Sequence, residues 1–255
     1  MAHDDRSMPL TDHLDELRSR LVRSLLAIFI VFLPAYFFSS ALFDFLAQPL
    51  HHITTDPHAL IGTSPTEAFF TKLKVAFIAA LFGSSPAIFY QIWQFIAPGL
   101  YPQERGYVWP FVLFCSFFFV LGAGFCYEIV LPVAFAFFLE EFQSIGVQAT
   151  LKISEYLTFT ARTLLAFGVT FEMPVLAFFF ARVGLLTHHT LIGAFRYAAV
   201  GVFVLAAILT PPDAISQMLL AGPLLLLYVV SIGVAYVFGK KEEPSEETDV
   251  ASTDE

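Results

Sequence analysis

Charge is scarce in this chain. Of 255 residues only 14% are Asp, Glu, Lys or Arg, whereas 57% are hydrophobic and 16% aromatic, with a mean hydropathy of +0.73. A soluble domain carries about 25% charged residues, so a water-solvated globular surface is excluded and membrane integration follows. Positive charge is the scarcer sign, with 13 Lys and Arg against 22 Asp and Glu, and no basic patch, which excludes nucleic acid as a partner. Cysteine is nearly absent. Cys115 and Cys126 fall eleven apart on one face of one predicted helix, about 16 Å along its axis, so they do not bridge each other and read as core thiols. Metal and hydrolase signatures are lacking too. His51-His52 and His188-His189 are adjacent rather than i,i+4 and have no third ligand at metal spacing. There is no HExxH, no intramembrane aspartate pair and no nucleophile elbow, so neither cofactor nor covalent chemistry is expected. A cleavable leader is not apparent either: Met1 to Arg20 carries five acids and three arginines ahead of the first apolar run.

What the chain does have is apolar runs long enough to cross a bilayer. Six spans are placed at residues 21–43, 71–94, 107–131, 156–180, 194–209 and 214–237. Lys72 and Lys74 open the second, and Pro86 is expected to kink it. The fifth rises only about 24 Å against a hydrocarbon core of about 30 Å, so either the bilayer thins beside it or its ends extend into Arg196 and Thr210. Even numbers of spans put both termini on one side. That side holds Arg6, Arg18, Arg20, Arg23, Arg105, Arg182, Arg196, Lys240 and Lys241, against Lys72, Lys74 and Lys152 on the other, with Arg162 a few residues inside that end of the fourth span, so both termini are cytoplasmic. The expected organisation is an all-α polytopic membrane protein with six transmembrane helices: a cytoplasmic amphipathic helix within 1–20, a membrane domain over 21–239, and a disordered acidic tail over 240–255. Two outer segments, about 44–70 and 132–155, carry short interfacial helices, one around Phe43, Phe45, Leu46 and Leu50, the other from Ala134 to Phe142. No internal repeat is visible.

Four places hold polar residues that ask for a reason. In the first cytoplasmic segment Leu10, Leu14, Leu17 and Leu21 make one helical stripe, with Thr11 a candidate N-cap, and Glu16 projects away from it. Glu16 reads either as an i,i+4 surface partner of Arg20 or as a ligand acid, and periodicity alone favours the pair. Between spans two and three, Phe95-Ile96-Ala97-Pro98-Gly99-Leu100 leads to Glu104-Arg105 in a stiff cytoplasmic connection. Two carboxylates on that face suit guanidinium groups, whose planar fork each carboxylate matches. Glu172 lies inside the fourth span, where a carboxylate is costly unless it pairs, protonates or faces water. Arg162, about 15 Å away on the same helix, is not its partner. Finally, Thr210-Pro211-Pro212-Asp213 makes a tight outer turn in which Thr210 closes one helix and Asp213 faces the open amides of the next. Gln217, one turn on, bonds to a neighbouring helix or faces a wetter cavity.

Together His13-Leu14-Asp15-Glu16-Leu17-Arg18, Phe95-Ile96-Ala97-Pro98-Gly99-Leu100 with Glu104-Arg105, Phe167-Gly168-Val169-Thr170-Phe171-Glu172-Met173-Pro174, and Leu209-Thr210-Pro211-Pro212-Asp213 with Ser216-Gln217 resemble the TatC family of twin-arginine translocase subunits. The likeness covers about residues 9–239, and Pro49 and Pro86 match recurrent prolines. The resemblance implies a receptor for signal peptides carrying consecutive arginines, in a bacterial or archaeal cytoplasmic (inner) membrane. With single-span TatA/TatB-type partners, and self-association as a further contact, it would export folded proteins on the proton gradient. It places signal recognition at Glu16 and Glu104, with Arg18, Phe95, Pro98 and Arg105 on the same surface. It makes Glu172 the polar residue of the concave side, and it assigns Pro211, Pro212, Asp213 and Gln217 to the outer turn and partner docking. The competing class is an ion- or proton-coupled small-solute transporter, which an intramembrane Glu172 would also permit.

Overall fold

The computed structural model describes residues 10–51, 53–54, 59–96, 108–147, 149–210 and 213–239, with side chains from Leu14 onward. The tail from Lys240 and the connection holding Pro98, Glu104 and Arg105 lie outside the described residues, as do Pro211 and Pro212. Among the described residues five helices are long and apolar enough to cross a membrane, and a bent pair supplies a sixth span.

Helix α1 runs without interruption over Leu10–Phe37, so the amphipathic segment and the first span are one helix, and Thr11 lies inside it rather than at its N-cap. None of its apolar window is buried. Helix α2, Ser39–His51, follows on the outer side. The expected interfacial helix is therefore present, but Leu46 and Leu50 are buried in the main core instead of meeting lipid. Pro49 explains part of its docking. Proline has no N–H to give the carbonyl four residues back, which here is that of Phe45, and the Tyr127 hydroxyl donates to that oxygen at 2.6 Å. The Tyr156 hydroxyl donates to the next carbonyl, Leu46, at 2.7 Å.

The second span is α3, Glu67–Gly83, and α4, Ser85–Ile96, bent by 54°. The kink expected from Pro86 is there, and its chemistry is local: the Phe82 carbonyl that Pro86 cannot serve accepts from the Ser85 hydroxyl at 2.7 Å. Both serines at the bend are buried.

The third span departs from expectation. Helix α5, Val108–Phe125, passes through a π-helical turn, Cys126–Val130, into α6, Leu131–Ser144. Residues 134–142 are thus the continuation of the span rather than a separate interfacial helix. Pro132 lacks the N–H for the Glu128 carbonyl, and widening to a π turn lets the chain pass it without breaking. Cys115 and Cys126 are buried free thiols.

Helix α7, Ile153–Val183, is the central element, packed against α5, α9 and α3. Its crossing with α5 depends on two glycines. A Cβ on Gly122 would meet the Phe167 carbonyl and the Phe171 Cβ at 2.7 Å, and one on Gly168 would meet the Phe119 ring at 2.8 Å. The helix ends on Gly184 at φ +87°, a left-handed cap that returns the amides of Gly184 and Leu185 to Ala181 and Phe180.

Helix α8 covers His188–Leu209. It is longer than the sixteen residues expected, about 33 Å at the helical rise, because the Thr187 side chain caps it by accepting from Thr190 N and the polar first turn remains helical. A thinned bilayer therefore does not follow from its length. It leans on α9, Ala214–Phe238, to which the Tyr228 hydroxyl ties it through the Leu191 carbonyl at 2.8 Å. On the outer side two short strands, β1 (Leu60–Ile61) and β2 (Leu151–Lys152), pair in parallel and join the two outer segments.

Candidate functional site

The first acid lies on the face of α1 turned away from the leucine stripe. Leu14, Leu17 and Leu21 are 64%, 45% and 58% exposed, whereas Glu16 and Arg20 are half-buried against α4. In a bilayer the leucines have lipid for solvent, and the polar side chains gain more by turning to protein partners. Arg20 Nη2 donates to Glu16 Oε1 at 3.1 Å, and Arg20 Nη1 reaches Gln91 Oε1 on α4 at 3.4 Å. The i,i+4 pair therefore exists, and it is also a clasp between two helices. Helix α4 also carries Phe95, one turn beyond Gln91 and half-buried. Arg18 is exposed on the neighbouring face. Ile96 is the last described residue before the segment containing Glu104, which reconnects to α5 at Val108. Convergence of Glu16 with Glu104 therefore lies outside the described residues.

At mid-membrane depth Glu172 is buried, at 6% exposure, and neither carboxylate oxygen has a hydrogen-bond partner among the described residues. It sits one turn before Val175, which belongs to a cluster with Trp93, Phe111 and Cys115. The Cys115 thiol is the polar group that bears on the carboxylate from α5. Arg162 is exposed to the outside of the bundle, so it is no partner for Glu172.

On either side of the outer turn, Thr210 and Asp213 take the helix-end positions expected of them. Thr210 ends α8, and its hydroxyl donates back to the Ala206 carbonyl at 2.9 Å. Asp213 is the N-cap of α9, accepting from Ser216 N at 2.7 Å and from the Ser216 hydroxyl. Those two bonds from Ser216 hold the Asp213 carboxyl below the usual aspartate range. The Gln217 side chain is half-buried and makes no hydrogen bond among the described residues.

Sequence reasoning missed two polar groups. Gln91 was read only as part of an apolar span, although a glutamine near a span end is itself a signal. Glu67 was read as loop. It is buried, accepting from Thr63 N at 2.5 Å, Ser64 N at 3.3 Å and Ser154 N at 2.8 Å, so one carboxylate joins the start of α3 to the start of α7. Its signal was available in Ser64-Pro65-Thr66-Glu67, which has capping-box spacing. Among the described residues no group of three His, Cys, Asp or Glu could hold a metal.

An all-helical bundle with one bent span, a polar clasp at one membrane face, an unpaired carboxylate in its interior and a capped turn at the other face defines a polytopic membrane protein with polar contact points at three depths. The chain belongs to the TatC family of Sec-independent protein translocase proteins, whose family model matches residues 12–223. It is 42% identical over 254 residues to the Sec-independent protein translocase protein TatC of Desulforapulum autotrophicum, covering 100% of this chain and 94% of that one. The corresponding protein of Helicobacter pylori is 43% identical over 226 residues, with 89% and 87% covered. A crystal structure of the twin arginine translocase receptor TatC superposes with a TM-score of 0.79 at 38% identity, covering 88% of this chain and 97% of that one. A second, in the detergent DDM, superposes with the same TM-score at 37% identity. The relative from Desulforapulum autotrophicum covers all six spans, and the family sets protein translocation above solute transport as the function.

Proposed function

We propose that this chain is the signal-peptide receptor and core subunit of a twin-arginine translocase in a bacterial or archaeal cytoplasmic membrane. It acts by binding and assembly rather than by covalent chemistry, with folded cargo moved at the expense of the proton gradient and with single-span TatA/TatB-type partners. The observation that carries this is the half-buried Glu16 near the start of α1, clasped through Arg20 to Gln91 on α4. Glu16 and Glu104 take the two guanidinium groups of the signal, with Arg18, Phe95, Pro98 and Arg105 forming the rest of the surface. Glu172 offers a polar contact deeper along the same bundle, and Asp213 and Gln217, with Pro211 and Pro212, form the outer docking region.

Peptide binding to the membrane-reconstituted protein tests the assignment. Glu16→Gln or Glu104→Gln should weaken a twin-arginine peptide by about 1.5 to 3 kcal/mol, the value of a charge-assisted hydrogen bond. Lys at either position should be worse, since it adds repulsion. Unchanged affinity in the double Gln variant would overturn the assignment.

A further inference from the structure

Glu16 is not a vacant carboxylate. One of its oxygens is already engaged by a guanidinium of the same chain, that of Arg20, which divides its fork between two acceptors: Nη2 to Glu16 Oε1 at 3.1 Å and Nη1 to Gln91 Oε1 at 3.4 Å. The contact with Glu16 is single-stranded, one N–H to one oxygen, and Glu16 Oε2 receives nothing among the described residues. Both side chains keep about a fifth of their surface, 21% each, so the pair can be reached from the cytoplasmic side.

We propose that Arg20 is a specificity-determining residue, an internal guanidinium that occupies Glu16 until an arginine of the signal displaces it onto Gln91. This rests on the reading of Glu16 as a signal-binding acid. A guanidinium from outside can engage both oxygens of Glu16 in parallel, the bidentate geometry that Arg20 forgoes by sharing itself with Gln91. A lysine ammonium is a strongly hydrated point charge without that fork, and it meets a site whose charge is already neutralised. Arg20 thus turns recognition of positive charge into a contest between guanidinium groups, which penalises the wrong ligand more than the right one. Gln91 completes the device. It gives the displaced Arg20 an acceptor, so ligand binding leaves no orphaned guanidinium in the half-buried cleft.

The test uses the full chain in lipid nanodiscs and three fluorescent signal peptides that differ only in the pair: Arg-Arg, Lys-Arg and Lys-Lys. In Arg20→Gln the affinity advantage of Arg-Arg over Lys-Lys should shrink by about two- to fivefold, the range open to competition from a part-exposed ion pair. Arg20→Lys, which keeps the charge but loses the fork, should fall between the two. A merely structural Arg20 would change all three affinities by one factor, and that result, or an unchanged ratio, overturns the proposal. Glu16→Gln is measured beside them. If it binds Arg-Arg as tightly as the parent, the reading of Glu16 itself fails; if it weakens Arg-Arg while Arg20→Gln leaves the ratio intact, only the role given to Arg20 fails.

Discussion

Two acidic residues of this protein show opposite solutions to the same problem. Asp213 stands at the outer turn and is satisfied, accepting two bonds from Ser216 at the start of α9. Removing the cap with Asp213→Ala should cost about 0.5–2 kcal/mol. The pH dependence has a definite sign. Because the folded carboxyl titrates below its ordinary value, its contribution is fully present above that value and is lost as pH falls through the folded one. Thermal unfolding in detergent should therefore show an acid-side loss of stability that Asp213→Asn flattens; an unaltered profile would place the titration elsewhere. Glu172, by contrast, is buried, and among the described residues neither of its oxygens makes a hydrogen bond. Replacing an unsatisfied buried group by an apolar one of similar size need not destabilise the fold, so Glu172→Leu should unfold no earlier than the parent yet lose export. Glu172→Gln keeps hydrogen-bonding capacity and should retain more export. Equal inactivity of the two at equal membrane levels would show that ionisation, not hydrogen bonding, is what the site requires.

Within the helices, the prolines and glycines decide how the bundle is built. Each proline frees a carbonyl four residues earlier, and at Pro49 and Pro86 a hydroxyl takes it, from Tyr127 on another element and from Ser85 within the bend. Pro132 is passed by a π turn instead. The α5–α7 crossing is held close by the absence of side chains at Gly122 and Gly168. Gly122→Ala should force the helices apart, since its Cβ would strike a backbone oxygen, at about 1–3 kcal/mol for overpacking. Gly201→Ala and Gly233→Ala, with nothing within 4 Å of the added atom, should be neutral or stabilising. Differential scanning of the three variants separates the cases, and a neutral Gly122→Ala would mean that the crossing relaxes freely.

For the whole molecule, the distribution of burial divides the bundle into a packed centre and sparse flanks. Helix α7 lies at the centre with α5 and α9 against it, whereas the apolar windows of α1 and α8 hold almost no buried residue. Helix α8 is held largely by α9, and near the outer end of that hairpin Gln217 is half-buried while Ser216 is buried. A polar group on a partner helix would gain roughly 0.6–2 kcal/mol by bonding to Gln217 there. A cysteine at Gln217 should accordingly trap a single-span TatA/TatB-type partner in native membranes. Capture at distant spans but none at Gln217 would move the docking region and leave Gln217 a packing residue.

Membrane residence, the six apolar segments and the helix ends at Thr210 and Asp213 were determined by the sequence alone, because each rests on local physics: hydrocarbon length and a carboxylate beside open helix amides. The Glu16–Arg20 pair was legible for the same reason, as two side chains one turn apart on one helix. Which way that helix faces was not. A leucine stripe marks the buried face in water, but with lipid as solvent the stripe turns outward and the polar clasp turns in, so only the position of α4 and its Gln91 decided it. The length of α8 and the continuity of α5 with α6 were hidden because polar first turns and an internal proline read as ends when neither a cap at Thr187 nor a π turn at Cys126–Val130 is in view. Tertiary structure alone brought Ser154 to Glu67, 87 residues away in the chain, since a contact at that separation leaves no periodic trace in either segment.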